Sequence, residues 1–210
     1  NPFNDRETFF EGLNKVPPAH YLKYSSNILS IESYKKFKDI RINYNERDQV
    51  IGLNMLLKKA IIRKEENIDE NIGFLFSGGL DSSTIISFYD KYKNENQKLF
   101  SYTAQYNHID KPIKRLIDER DFQKEIIKDK SIKERNFETK DLSTLSNLDL
   151  YLNLVGQPFF FPHLYLINEA FKLASFDNVQ KVFNGADGDT VVSHGFEYLV
   201  ELFLKFRWLK

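Results

Sequence analysis

Apolar positions fall into short clusters separated by polar breaks rich in Lys and Asn. The cluster Phe74-Leu75-Phe76 runs into Ser77-Gly78-Gly79-Leu80-Asp81-Ser82-Ser83, and Ile85, Ile86, Phe88, Tyr89 and Tyr92 then recur at helical spacing. That order predicts a buried strand, a tight loop and a helix. After the polar break Asn94-Glu95-Asn96-Gln97-Lys98, Leu99 to Ala104 reads as a second strand. Strand, helix and strand at this separation predict a right-handed βαβ unit in a parallel sheet. Ligands of such sheets bind beyond the carboxyl ends of the strands, which puts Thr103 and Ala104 where a nucleotide base sits. An ordinary strand end is the other reading of those two residues.

The remaining pattern fills in an α/β chain. Thr8-Phe9-Phe10 predicts the opening of a short helix. Val16-Pro17-Pro18-Ala19-His20-Tyr21-Leu22 is a turn into a strand, since paired prolines exclude helix. Ile28 to Tyr34 is a second short strand, giving a hairpin expected to cover a sheet edge. Asn45 to Glu66 reads as a helix beside the sheet, with Val50, Ile51, Leu53, Leu56, Leu57, Ile61 and Ile62 at helical spacing. A helix through Lys128 carries Phe122, Ile126 and Ile127, and Ile132 to Thr139 is a third strand. Leu142 to Val155 is predicted helical and stopped by Gly156-Gln157-Pro158; Leu164 to Ala174 is another helix. Lys181-Val182-Phe183 is a short buried strand, and Phe196 to Lys210 an amphipathic helix without a stop signal. The expected fold is a parallel, twisted sheet of about five strands with helices on both faces. Residues 1–40 are expected to form a linker and hairpin, and 41–210 the main domain.

Composition changes this picture little. The 210 residues carry 30 basic and 30 acidic side chains, so charge balance offers no argument for nucleic acid or an acidic membrane surface. With no cysteine, disulfides, thiolate metal sites and cysteine nucleophiles are excluded within this chain. No apolar run reaches the length of a membrane span, and a cytoplasmic enzyme is the expectation. The first residue is Asn1, not methionine, so a piece of a longer protein is expected.

Two segments carry candidate chemistry. In the loop after the first strand, Gly78 and Gly79 open backbone angles and leave room for a ligand against the main chain. The helix start behind them offers N–H groups and a positive dipole end to an anion. Ser77, Ser82 and Ser83 add hydroxyls, and Asp81 a carboxylate for a divalent metal. A capped helix with N-terminal serines is the plainer reading. The second segment, Asn184-Gly185-Ala186-Asp187-Gly188-Asp189, follows a strand at once and alternates glycine with acid. It suits Mg²⁺ on a polyphosphate, or is a plain acidic turn.

The first segment lacks the Walker spacing and has no lysine after its glycines. Ser77-Gly78-Gly79-Leu80-Asp81-Ser82-Ser83 resembles the pyrophosphate-binding loop of the ATP pyrophosphatase superfamily, whose members activate a carboxylate or similar oxygen as an adenylate. Leu80 with the paired serines is most similar to the asparagine synthetase branch, the glutamine-hydrolysing class B family. The Pro17-Pro18-Ala19-His20 turn resembles the family's handover from glutaminase to synthetase domain, with Ala19 where glycine is usual; His20 reads as a turn residue. Asp118-Glu119 resembles the acidic pair opening a family helix, although acids in a first turn also simply complement the dipole. Gln157-Pro158 loosely resembles a turn before a helix at the active-site mouth. In the second segment Gly185 and Asp189 match the family signature. Ala186 replaces its first acid, Asp187 stands where glycine is usual, and Thr190 replaces the final glutamate. His194, in the variant stretch beyond, is either a structural histidine or a new acid/base.

The resemblance implies an amide-forming ligase that uses ATP and Mg²⁺. Ser77, Gly78, Gly79, Ser82 and Ser83 would hold pyrophosphate. Asp81 and Asp189 would hold the metal, with Asp187 a further catalytic candidate. Phe76, Thr103, Ala104 and Gly185 would frame the adenosine, and Asn184 would be a further ATP- or pyrophosphate-binding residue. The implied acid is aspartate and the implied amine is ammonia from glutamine, giving asparagine biosynthesis by an amidotransferase. A glutaminase domain or subunit would supply the ammonia, because this chain has no cysteine to do so, and a homodimer is among the expected assemblies. A β-lactam- or peptide-cyclising synthetase is the alternative within the superfamily, and a catalytically inactive ATP-binding scaffold the alternative outside it.

Overall fold

The computed structural model describes residues 6–34, 45–65, 71–110, 112–113, 118–158, 161–186, 188 and 196–204. The chain divides into two compact units, Asn1–Gln49 with Leu145–Pro162, and Val50–Thr144 with His163–Lys210. The expected boundary near residue 40 lies outside the described residues.

The first unit holds an antiparallel hairpin of β1 (His20–Ser25) and β2 (Ile28–Ser33), with Tyr21 opposite Glu32. Its two turn residues, Ser26 and Asn27, both have positive φ, the backbone that matches strand twist in a two-residue hairpin. The Tyr21 hydroxyl donates to Glu32 Oε2 at 2.5 Å, which raises the tyrosine pKa and lowers that of Glu32. In the turn before β1, Ala19 has φ +60°, a left-handed conformation that glycine adopts without cost. The Ala19 carbonyl accepts from Tyr34 N at 3.0 Å, so the hairpin closes over that residue. His20 places Nδ1 2.8 Å from the Pro18 carbonyl, as a turn residue. The helix expected at Thr8 is instead a turn: Thr8 Oγ1 accepts from Phe10 N and donates to Leu13 O.

In the second unit α1 (Glu46–Glu65) leads to β3 (Asn71–Leu75), α2 (Leu80–Tyr92), β4 (Leu99–Gln105), α3 (Arg120–Ile127) and β5 (Ile132–Glu138). The helix expected over Leu142–Val155 starts only at Leu148, as α4 (Leu148–Val155), which belongs to the first unit. Asn147 ahead of it is left-handed, which breaks the helical run, and Gly156 at φ +71° ends it. Then follow α5 (Leu164–Phe176), β6 (Val179–Phe183) and α6 (Phe196–Leu204). Four strands form one parallel sheet in the order β5-β4-β3-β6. The chain steps from β3 to β4 to β5, then returns to the far side of β3. That reversal is the switch point at which open α/β sheets bind ligands.

Both sheet faces are covered. On one, Ile72, Phe74 and Phe76 pack with Ile86 and Tyr89 of α2 and with Ile127 of α3. Phe74, Tyr89 and Phe183 form a ring cluster with centroids 5.3–5.8 Å apart. Each such buried side chain contributes about 1.5–3 kcal/mol. On the other face Phe100 and Tyr102 pack with Ala170 and Ala174 of α5. The helix α1 is attached less than its pattern suggests. Ile61 alone of its apolar residues is buried, while Val50, Ile51, Leu53, Leu56 and Ile62 are exposed. These positions are spread around the helix, so one packed face cannot cover them all.

Candidate functional site

The register of β3 and β6 pairs Phe74 with Phe183, so the two candidate loops leave neighbouring strands at one level. After β3 the chain turns at Gly78, whose φ is +96°. A side chain there would also collide with α3, since a Cβ would lie 2.8 Å from Gln123 Cγ and 2.9 Å from Glu119 Cβ. Glycine is required on both counts.

The loop is held largely by its own side chains. Gly79 N donates to Ser77 Oγ at 3.1 Å, and Ser77 Oγ lies 3.2 Å from Ser82 Oγ. The Ser82 hydroxyl donates to the Gly79 carbonyl and that of Ser83 to the Gly78 carbonyl, each at 3.2 Å. Sequence reasoning offered these two hydroxyls to a ligand; in the structure both serines are buried and their hydroxyls tie down loop carbonyls. The backbone is left to face an anion. At the helix start Gly79 makes no side-chain cap. The N–H groups of Gly78, Leu80, Asp81 and Ser82 have no acceptor among the described residues. Converging amides at a helix N-terminus are an anion cradle.

The second loop rests on this cradle. A Cβ on Gly185 would lie 2.8 Å from Ser82 N and 3.0 Å from Asp81 Cβ. One on Gly188 would lie 2.2 Å from Asp81 Oδ2. Gly185 therefore lets one main chain approach another, and the Asp81 carboxylate lies against the bare Cα of Gly188. Asn184 Oδ1 accepts from Ala186 N at 3.0 Å and shapes the turn. Asp187, Asp189, Thr190 and His194 lie outside the described residues.

Over the sheet ends opens a cavity of about 260 Å³. Its floor includes Leu75, Tyr102, Phe137 and Ala170, and its rim Ser77, Glu119, Arg120 and His163. Phe76, Thr103 and Ala104, expected at the adenosine, all line it; Asn184 and Gly185 do not. Thr103 Oγ1 donates to the Phe76 carbonyl at 2.9 Å, so this hydroxyl fastens β4 to the end of β3. Tyr106 also lines the cavity, and burial raises its pKa.

Asp118 and Glu119 are more than acids in a first turn. Asp118 grips the Arg120 guanidinium at 2.6–2.9 Å, which holds that cation protonated above its ordinary range. Arg120 Nη1 donates in turn to Asn107 Oδ1 at 3.1 Å. Glu119 packs on Gly78, and its Oε2 lies 3.7 Å from where a Gly79 Cβ would be. Gln123 Nε2 donates to the Ser77 carbonyl at 2.5 Å. Glu119 carried a signal in its acidic pair; Gln123 carried none.

Among the described residues no group of three His, Cys, Asp or Glu side chains is placed to hold a metal ion. Mg²⁺ on a polyphosphate needs only one or two carboxylates, and Asp81 fits as one of them, while the open amides would meet phosphate oxygens. Nor, among the described residues, is any helix long and apolar enough to cross a membrane.

A four-stranded parallel sheet, with helices on both faces and a glycine loop of open amides at its switch point, makes this an α/β domain. Over residues 52–210 the sequence matches the asparagine synthase family, and the chain belongs to that family. No curated protein matches the sequence. The fold is similar to the U34-tRNA thiolase NcsA from Methanococcus maripaludis with its [4Fe-4S] cluster, at 16% identity and TM-score 0.47, covering 76% of this chain and 52% of that one. It is also similar to the NH₃-dependent NAD synthetase from Campylobacter jejuni subsp. jejuni NCTC 11168 in complex with the nitrate ion, at 14% identity and TM-score 0.40, covering 69% and 60%. A glutamine-dependent NAD⁺ synthetase from Acinetobacter baumannii in complex with ADP also matches at 14% identity and TM-score 0.40, covering 80% and 32%. The chain spans between a third and three fifths of these structures.

Proposed function

We propose that this chain is the synthetase part of an ATP-dependent amide-forming ligase. The observation that carries the reading is the meeting of the two loops: Gly185 and Gly188 press on Asp81 and Ser82 where the α2 amides are open. In this reading the adenosine lies in the cavity against Phe76, Thr103 and Ala104, with Asn184 and Gly185 closing its phosphate side. The pyrophosphate lies on the open amides of Gly78, Leu80, Asp81 and Ser82. A carboxylate oxygen of the substrate attacks the α-phosphorus, the bond to the bridging oxygen breaks, and pyrophosphate leaves. The amine then attacks the acyl carbon, AMP departs, and the amine loses a proton to solvent or a base. Asp81 and Asp189 hold Mg²⁺, which supplies neutralising charge for the leaving group when bound. Asp187, two residues before Asp189 in sequence, is a further catalytic candidate.

The proposed acid is aspartate and the proposed amine ammonia, giving asparagine. A glutaminase domain or subunit supplies the ammonia, since the chain holds no cysteine. The alternative substrate class is a β-lactam or peptide precursor cyclised on itself. Ala186, where the family signature has an acid, favours it; that residue offers only its N–H, which Asn184 accepts.

The test is ATP–pyrophosphate exchange with Mg²⁺ and a panel of amino acids and peptide acids. Exchange with aspartate supports the asparagine reading, and exchange with a peptide or β-amino acid alone the cyclising one. Silence across the panel, with ATP still bound, leaves an inactive scaffold and overturns the ligase. Asp81→Ala is expected to abolish whatever exchange the wild type shows.

A further inference from the structure

The three carbonyls of the first loop are each tied away from the cradle. Gly79 O accepts from Ser83 N at 3.0 Å and from the Ser82 hydroxyl, and Gly78 O accepts from the Ser83 hydroxyl. Those partners lie within five residues. Ser77 O is different, since its partner, Gln123 Nε2, lies 46 residues along the chain at the first turn of α3.

This tie matters more than the other two because of where it acts. The peptide between Ser77 and Gly78 is trans, so its N–H points opposite to the Ser77 carbonyl. Gly78 tolerates both signs of φ, so this peptide can turn over at small cost. A turned peptide would present a carbonyl, not an N–H, to the cradle, and a carbonyl repels an anion. Gln123 is firmly based: its own N–H donates to Glu119 O at 2.9 Å, and Ile127 of the same helix is buried in the core. Its Cγ also backs the Gly78 Cα.

We propose that Gln123 is a positioning residue for the first loop: by holding the Ser77 carbonyl it aims the Gly78 N–H at the phosphates of the bound nucleotide. This inference rests on the nucleotide reading above.

The test is calorimetric titration of the full chain with Mg·ATP and inorganic pyrophosphate. Gln123→Met keeps the length and the contact with Gly78 but has no donor. It is expected to weaken pyrophosphate and ATP about three- to tenfold, with melting temperature unchanged. Gln123→Glu, which sets a carboxylate against the Ser77 carbonyl, is expected to weaken them further. Wild type that binds neither ATP nor pyrophosphate overturns the nucleotide reading and this inference with it. Wild type that binds both, with Gln123→Met binding pyrophosphate equally well, overturns the inference alone. If Gln123→Met does not fold, amide NMR of the wild type decides. The Gly78 N–H is expected to shift downfield with pyrophosphate, and a Gly78 resonance that stays still while those of Leu80 to Ser82 move overturns the proposal.

Discussion

The two ends of β3 treat polar groups in opposite ways. At its start Asn71 Nδ2 donates to the Asp177 carbonyl at 2.9 Å, and the Asp177 carboxylate is filled. Arg135 forks it at 2.6–3.1 Å, and the Tyr102 hydroxyl donates to it at 3.2 Å. At its end the loop ties down its carbonyls and leaves its amides open. A satisfied buried network holds strands in place, whereas an unsatisfied one is held ready for a ligand. The pKa values follow this division. Burial, then the Asp177 charge, pushes the Tyr102 phenol well up, and the Arg135 guanidinium holds Asp177 below the usual carboxylate range.

Substitutions at the two ends should therefore separate activity from stability. The largest effect is expected of Gly188→Ala. Its new methyl would displace the mobile end of the Asp81 side chain and leave backbone in place. Exchange should fall about a hundredfold or more while stability changes by less than about 0.5 kcal/mol. Equal loss of both, seen by exchange assay and urea unfolding, would erase the contrast.

At the other end, Asp177→Ala leaves the Tyr102 hydroxyl and Arg135 without their acceptor. Arg135 is 42% exposed, so the cost is discounted to about 2 kcal/mol, measured by urea unfolding, with ATP affinity unchanged.

A smaller effect is expected in acid. Because the folded pKa of Asp177 is depressed, its contribution is fully present above the ordinary carboxylate range. It is lost as pH falls through the lower folded value. The urea midpoint of the wild type should then drop more steeply below about pH 4 than that of Asp177→Asn.

The smallest lies outside both ends. Ala19→Gly relieves a left-handed alanine and should raise stability by about 1 kcal/mol, read from thermal melting. No gain would mean that the turn is not strained.

Much of this molecule was legible in local pattern. The run from Phe74 to Ser83 is contiguous, and its strand, loop and helix depend on neighbours within a few residues. The strand at Leu99 and the helix at Leu164 also announced themselves by apolar clustering, and the strand at Ile132 more weakly. Ala19 was marked by standing where glycine is usual, and its positive φ gives the reason. The run Leu142–Asn147 misled because an apolar period says nothing of a left-handed asparagine that interrupts it.

The chain's own order of residues thus determined the parallel α/β class and the first glycine loop, since hydrophobic period and backbone freedom act over a few residues. Only the tertiary structure decided that Gly185 and Gly188 serve Asp81 and Ser82, that the serine hydroxyls close the loop, and that Glu119 and Gln123 back it. Those are contacts between segments brought together by strand order, and no local spacing encodes the distance between a glycine Cα and a carboxylate about a hundred residues away.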